Sequence, residues 1–563
     1  MPIPLRSKIK KATSTPRGKV IAATILLVLL SAVALVIIYW NAIKKEFIRD
    51  KVKTVVESKS EKLYTIHYDD MKMDEVAGNL SVTNLTLNYD TARYLAIHNK
   101  KDIPAVLFHI TIPSIIATGV QTPQALITKE IIGTKLHISN PVIDIIYTHK
   151  GKDASKNVPQ SEVYREILGN LQLIKLDTFL ITGAKIITRD LITGKEKLQM
   201  LDTYIELRDV SVDSTSNLEK NRLLFANHLQ INCKKLSWSS SNGYYNYEAD
   251  SIALNSDEKN TRAARFRIMP TLDEETYARK KAVAADRYNI SMDNIEINQI
   301  NFQELFNEKI EADNIVMTNS SIKIYRDMTL PHDHKNRIGT YPQQDVAKIP
   351  LPVTINTLSL KNTYVEYKEK GRIMQKIGKV IFTHLNANFK NITNQPVKKG
   401  NAEEMTAEVN GLFLNRYMAQ TYWTFYLFNK KGRFDLKGHL GSLDARGVNE
   451  IAEPLGGAKI EKGTIRALDF NFKADNYGMA GTVKLLYNDL KISVLKKDEE
   501  TKELKKKKLA SFGANILIKD NNPSRNEPPR IAEVDFKRDT TRSMFYLSWK
   551  TLMDGIKTSV IKN

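Results

Sequence analysis

Apolar and polar residues alternate along most of the chain after residue 63. This period of two is typical of β-strands that have one apolar and one wet face. Many such runs come in close pairs, for example residues 80–82 before 85–87, and 353–355 before 358–360. With about 25 runs of this kind, the sequence predicts a mainly β protein built on an elongated, twisted antiparallel sheet.

Helical signals are few and short. Thr122-Pro123 offers a cap and a helix-starting proline. Thr271 and Glu274 form a capping box, which predicts a helix that continues to about Arg287.

A third helical pattern lies at the end of the chain, over residues 541–563. Apolar residues recur there every three or four positions, which is typical of an amphipathic helix. Lys550 and Lys557 lie off the apolar stripe. The stripe itself consists of Phe545, Trp549, Leu552, Ile556 and Val560.

One uninterrupted apolar run covers residues 20–40, begins at Val20, is centred on Leu30 and contains no charge. Its roughly 21 residues make about 31 Å of helix, enough to cross a bilayer core. Tyr39 and Trp40 close it where aromatic rings favour the interface. Basic residues without acids precede it, which favours a cytoplasmic N-terminus and an exported body. A cleaved signal is the alternative, but the run is longer than a signal core.

A recurring phrase joins a strand, a short corner with Asn or Gly, and a second strand. Its residues at the corner are expected to adopt φ > 0, which Asn and Gly tolerate best. The repetition predicts one continuous sheet that grows hairpin by hairpin, and several unrelated β-sandwiches are the alternative. The four copies are residues 136–145, 179–190, 315–327 and 358–369, with Asn140, Gly183, Asn319 and Asn362 at their corners.

These features resemble those of AsmA-like envelope proteins. The resemblance is carried by the apolar N-terminal run, by the phrase at 78–87, by the strand-Asn-strand repeats, and by 463–490. It implies a taco-shaped β-sheet whose concave, apolar groove carries phospholipids across the bacterial envelope or supports outer-membrane assembly. The implied division is a basic cytoplasmic tail (1–19), a transmembrane helix (20–40), a repeating β-groove region (41–400), an AsmA C-terminal-like β region (401–540) and the amphipathic helix (541–563).

Elementary packing supports a groove. A sheet with one apolar face must cover that face, and this chain offers few helices to do so. A curled sheet of about 25 strands at about 4.8 Å per strand gives a trough of about 120 Å that acyl chains would fill. The C-terminal helix would cap the open end of this groove or rest on a lipid surface. The expected groove-lining residues are Val483, Leu485, Tyr487, Leu490, Ile492 and Val494.

The net charge of +21 has no nucleic-acid motif beside it and fits contact with anionic lipid surfaces. The single cysteine, Cys233, lies in an alternating run, which predicts a buried apolar side chain. His332 and His334 are weak metal candidates, because no third ligand stands at a useful spacing. No catalytic or cofactor-binding pattern is present, so neither an enzyme nor a cofactor is expected.

Three classes of function therefore stand open. The first is a phospholipid-binding groove protein, anchored in the inner membrane with its bulk in the periplasm and with lipids and other envelope proteins as partners. The second is an envelope scaffold with a closed β core. The third is a surface glycan-binding protein with platforms at Tyr244-Tyr245 and Tyr422-Trp423.

Overall fold

The computed structural model describes residues 53–54, 56–58, 60–74, 76–97, 104, 106–121, 128–148, 168, 171–213, 222–372, 374–396, 403–497, 504–507 and 519–561. Within these ranges no helix combines the length and the apolar character needed to span a membrane. The anchor predicted over residues 20–40 and the helix predicted at Thr122-Pro123 lie outside them.

The described chain is mainly β, as the alternation predicts, and its 24 strands form one sheet. Neighbouring strands pair almost entirely in chain order and antiparallel, since most are joined by short hairpin turns. The strands are β1 (Tyr64–His67), β2 (Asp70–Asp74), β3 (Asn79–Tyr89), β4 (Val106–Thr118), β5 (Glu130–Ser139), β6 (Val142–Tyr147), β7 (Leu173–Asp190), β8 (Glu196–Val212), β9 (His228–Ser239), β10 (Tyr245–Asn255), β11 (Asn260–Pro270), β12 (Arg287–Asn298), β13 (Ile310–Thr318), β14 (Ser321–Asp327), β15 (Val353–Lys370), β16 (Ile377–Thr393), β17 (Glu404–Phe413), β18 (Tyr417–Tyr426), β19 (Phe434–Leu440), β20 (Leu443–Asp444), β21 (Ala458–Ala474), β22 (Gly478–Lys497), β23 (Leu504–Lys507) and β24 (Ala532–Lys537).

The expected corners are present. Asn140, Gly183, Asn319 and Asn362 have φ of 49°, 64°, 58° and 52°, which confirms the prediction of left-handed backbone at all four. Two of these residues separate β5 from β6 and β13 from β14, and the other two lie inside β7 and β15. The ladder shifts register beside the corners of β7 and β15, as β-bulges do, and such bulges bend a strand.

The four copies of the recurring phrase lie in two parallel pairs. Leu136 pairs with Phe179, and Ile315 pairs with Leu358. The offset is the same 43 residues in both places. Two parallel strands need a crossover connection between them. Here the crossovers follow β6 and β14, so that β7 starts beside the start of β5, and β15 beside the start of β13. The sheet thus contains one structural repeat, used twice.

Helices are short apart from the last. They are α1 (Thr91–Ile97), α2 (Glu274–Lys281), α3 (Phe302–Phe306), α4 (Pro342–Val346), α5 (Asn449–Ile451) and α6 (Met544–Val560), with a 3₁₀ turn at Ala445–Val448 and a π turn at Ala452–Gly456.

The helix predicted from Thr271 to Arg287 is shorter than expected. Asp273 caps its N-terminus by accepting a hydrogen bond from Thr276 N, so the predicted capping box is wrong. Ala282 ends the helix in the left-handed region at φ 54°, and Arg287 already belongs to β12.

Two large apolar clusters occupy the two ends of the sheet. The first is built mainly from β3 to β8, and Phe302 of α3 closes part of it. The second lies between strands β17 to β24 and the buried side of α6. Cys233 is 2% exposed and lies inside the sheet as a small buried side chain, as predicted.

Candidate functional site

A single row of directly paired residues crosses the sheet from β2 to β24. Each member sits opposite the next across a strand boundary, so all point to the same face of the sheet. All are apolar except Thr261 and Gly481. The first apolar row is Met71, Val82, Ile115, Ile138, Ile181, Ile205, Ile231, Leu254, Thr261, Ile297, Ile315, Leu358, Phe389, Ala407, Trp423, Leu436, Phe472, Gly481 and Val534.

A second apolar row runs beyond the corners. It shares the apolar face, because Phe108 and Ile145 of this row lie in the same cluster as Ile115 and Ile138 of the first. The strands bend at the bulges, so the two rows lie on either side of the line of corners. The second apolar row is Phe108, Ile145, Thr188, Leu198, Trp238, Tyr247, Ile268, Ile290, Ile322, Val365, Phe382, Phe413 and Tyr417.

Burial along the first apolar row is uneven. Ile138 and Phe472, near its two ends, are 0% and 1% exposed. Between β8 and β16 its members, from Ile205 to Phe389, are only half-buried. Four of them, Ile205, Ile231, Leu254 and Ile297, pack against the first cluster, and Phe389 packs against the second. At about 4.8 Å per strand this half-buried stretch is about 34 Å long.

The residues predicted to line the groove lie elsewhere. Val483, Leu485, Tyr487 and Leu490 are between 0% and 4% exposed and belong to the closed C-terminal cluster. Helix α6 covers them: its Gly555 lies so close that an added Cβ would stand 2.3 Å from Val483 Cγ2. The expectation that these four line an open groove is therefore wrong.

Two further residues of that prediction lie at the far end of β22. Ile492 is half-buried against the same C-terminal cluster. The side chain of Val494 lies outside the described part of the structure. The backbone of Val494 pairs with Lys507 across β22 and β23.

Helix α6 lies where the spacing predicts it, but it does not bury the predicted stripe. Phe545 and Trp549 are 53% and 44% exposed, while Leu552 and Ile556 are half-buried and only Val560 is buried. The side on the sheet is instead Met544, Leu547, Thr551, Gly555 and Ser559. This side closes the C-terminal cluster over β22 and β24.

A group of polar side chains lies beyond the second apolar row, farther from the corners. Glu369 follows Val365 by four positions on the same face, and Tyr367 donates a hydrogen bond of 2.6 Å to its carboxylate. Arg326 sits opposite Glu369 and lies 3.6 Å from Asp286. Burial raises the pKa of Glu369, since a charged carboxylate loses hydration there.

His332 and His334, the weak metal candidates, contact neighbouring side chains and are not joined by further metal-ligating residues in the described ranges. His332 Nε2 lies 2.6 Å from Thr541 Oγ1, and its ring packs edge-on against His334. Nowhere in the described ranges do three His, Cys, Asp or Glu side chains gather as metal ligands do. The loop that holds the pair also donates from Arg337 N to Thr540 O, so it fastens the segment just before α6.

The tyrosine pairs do not form exposed platforms. Tyr245 is 3% exposed and packs against Tyr277 beside α2. Trp423 is a half-buried member of the first apolar row and stacks on Phe425. Only Tyr422, on the opposite face, is open to solvent.

The two rows escaped sequence reasoning because register decides them. Alternation shows which residues of one strand share a face, but pairing decides that Ile231 meets Leu254 rather than a polar neighbour. The corner residues could have indicated the register, since Asn140 and Gly183 lie at the same level in adjacent strands.

Comparisons with known proteins add no relative. No family model matches this chain, and no curated protein shows significant similarity to it.

Proposed function

We propose that this chain is a phospholipid-binding protein of the AsmA-like kind. In this proposal residues 20–40 anchor it in the bacterial inner membrane, and the β-sheet stands in the periplasm. The observation that carries the proposal is the first apolar row, which is continuous from Met71 to Val534 and only half-buried between β8 and β16. In this proposal the two apolar rows are the walls of a trough. No residue is assigned a catalytic role, and neither a cofactor nor nucleic acid is a proposed ligand.

The half-buried stretch of the first apolar row is long enough to hold an acyl chain. One leaflet of a bilayer core is about 15 Å thick, roughly half of the 34 Å stretch. Each methylene moved from water to an apolar site is worth about 0.8 kcal/mol. Moving the same methylene from a bilayer into the trough exchanges one apolar environment for another. The trough would therefore shield lipid tails from water while exchange with a membrane stays possible.

The distribution of polar side chains suggests how the lipid is oriented in the trough. Both walls are apolar near the corners, whereas the buried side chain of Arg326 and the half-buried side chains of Asp286 and Glu369 lie beyond the second apolar row. The lipid tails would lie between the walls, and the headgroup would stay in solvent outside them. An envelope protein at the far membrane is the expected partner for onward transfer.

The scaffold hypothesis rests on a specific observation too. Both ends of the sheet are closed cores, with Ile138 and Phe472 almost fully buried. A scaffold with a closed core throughout would leave no room for lipid in the middle. Lipid content therefore separates the two functions.

The test is the phospholipid content of the full-length protein, purified in mild detergent, with two matched variants. Ile231→Asp places a charge on the half-buried part of the first apolar row, whereas Asn232→Asp places the same charge on the opposite face of β9. A charge inside an apolar trough must be desolvated, which opposes lipid binding. We expect the wild type and Asn232→Asp to retain lipid and Ile231→Asp to lose it.

Both variants are first checked by circular dichroism for the native β content. Lipid that surrounds the anchor is the same in all three proteins and cancels in the comparison. Equal lipid in three folded proteins would overturn the proposal and favour the scaffold.

A further inference from the structure

Helix α6 does not turn its most apolar stripe directly to the sheet. A helix on a sheet normally does so. Here the side on the sheet combines Met544 and Leu547 with Thr551, Gly555 and Ser559. Phe545 and Trp549 lie about 120° away around the helix and are about half exposed. Leaving two large aromatic side chains in water forgoes several kcal/mol of burial. The exposed side is thus unexplained by folding alone.

The small residues explain why the helix keeps this orientation. Gly555 allows the backbone of α6 to approach Val483, and Thr551 returns its hydroxyl to Leu547 O at 2.9 Å. Tyr487 Oη reaches the Ser559 carbonyl at 3.3 Å and fixes the C-terminal end. A larger side chain on this side would lift the helix, so its rotation is set by close packing.

The exposed aromatic side continues the first apolar row. The Phe545 ring meets the Trp423 ring edge-on, with 6.4 Å between centroids. Trp423 belongs to the row, and Leu552 and Ile556 are half-buried against the same cluster. The apolar surface therefore passes from the sheet onto the helix without a polar break.

The charges of α6 lie on a different side. Lys550 and Lys557 are exposed. At 100° per residue they fall about 100° from the centre of the aromatic side. Helix α6 therefore presents an apolar side next to the row and a basic side away from it.

We infer that α6 and Trp423 form an end wall of the trough that holds a long-chain acyl group. The site consists of Trp423, Phe545, Trp549, Leu552 and Ile556. This inference rests on the proposed function, because it takes the trough to be filled by lipid tails. The inference adds that the acyl tail ends against helix α6.

The experiment uses the full chain in its own membrane, with the photoreactive amino acid p-benzoylphenylalanine at one position at a time. The positions are Trp549 on the aromatic side of α6, Lys550 on its basic side and Ile231 in the half-buried part of the first apolar row. After irradiation, the adducts are identified by mass spectrometry of the purified protein. We expect phospholipid adducts at 549 and 231 and none at 550.

Each other result is decisive. Lipid at 231 but not at 549 would refute the end wall and leave the trough intact. Lipid at neither 231 nor 549 would refute the proposed function as well. Lipid at both 549 and 550 would mean that α6 rests on a bilayer surface, and a crosslinked dimer through 549 would mean that a second copy covers it. Either of these two results overturns the inference.

Discussion

Asn362 Nδ2 donates a hydrogen bond of 2.6 Å to Asn319 Oδ1 between two parallel strands, at the corner of each. Both residues are in the left-handed region, which an Asn tolerates better than other side-chain-bearing residues. His384 Nδ1 lies 2.9 Å from Asn362 Oδ1, so the contact continues into β16. These side chains align the corners of neighbouring strands, and the alignment keeps both apolar rows in register.

Asn362→Ala is expected to destabilise the sheet by about 2 kcal/mol. The left-handed backbone costs an alanine about 1 kcal/mol or more, and the lost hydrogen bonds add about 1 kcal/mol. The midpoint of urea unfolding, followed by circular dichroism, measures the change. Asn362→Gly is the control, because it keeps the backbone and loses only the side-chain bonds. Equal losses for both variants would show that the conformation at this corner contributes nothing.

Gly183→Ala is expected to destabilise the protein more than Gly194→Ala. The two glycines have φ of 64° and 62°, so both alanines carry the same backbone cost. An added Cβ at Gly183 would stand 2.1 Å from Asn140 Oδ1, whereas nothing lies within 4 Å at Gly194. The difference between the two unfolding midpoints isolates the displacement of Asn140. A difference of zero would mean that Asn140 moves aside freely.

The local parts of this fold could be predicted from the sequence. Alternation predicted the strands, and the corners at Asn140, Gly183, Asn319 and Asn362 followed from residue type and repetition. Both are short-range properties, decided within a few residues of the chain. The helix at 544–560 also followed from local spacing.

The parts that depend on packing between distant segments could not be predicted. Spacing shows that Phe545 and Trp549 share the most apolar side of the helix, but it does not decide which side meets the sheet. The close approach of Gly555 to Val483, across more than seventy residues of chain, decides it. The same contact closes the surface that Leu485 and Tyr487 were expected to leave open.

Glu369→Gln is expected to stabilise the protein increasingly as the pH rises. Burial raises the pKa of this carboxyl in the folded state, so its ionisation opposes folding. Below the ordinary pKa of 4.5 both states are protonated and the variant gains nothing. Above it the unfolded state ionises first, and the wild type loses stability until the pH passes the folded-state pKa. Glutamine keeps an acceptor for the Tyr367 hydroxyl.

The measurement is the unfolding midpoint of both proteins over a pH interval that begins below the ordinary pKa of 4.5 and continues to neutral pH. Glu366→Gln is the matched control for net charge, since Glu366 accepts a similar bond from Tyr364 on the other face of β15. A constant difference between Glu369→Gln and the wild type across this interval would contradict the raised pKa.

Gly555→Ala is expected to loosen α6 from the sheet. Its Cβ would stand 2.3 Å from Val483 Cγ2 and 2.6 Å from Val483 Cβ, and Val483 is fully buried in β22 with no room to move. Such overpacking costs about 1–3 kcal/mol. The variant should lower the unfolding midpoint and speed tryptic cleavage after Lys550 and Lys557.

The same contact predicts a compensating pair. Val483→Ala alone leaves a cavity, but it removes Cγ2, the nearest atom that Gly555→Ala would strike, while the Cβ contact of 2.6 Å remains. The clash is therefore partly relieved, and the double variant should be more stable than the sum of the single losses by about 1 kcal/mol. Gly555→Ala with Leu485→Ala is the matched control: Leu485 is equally buried, yet it is absent from the atoms nearest to Gly555. That control pair should be additive. Additive losses in the Val483 pair as well would mean that α6 reaches its position without this contact, and the orientation of its aromatic side would then need another cause.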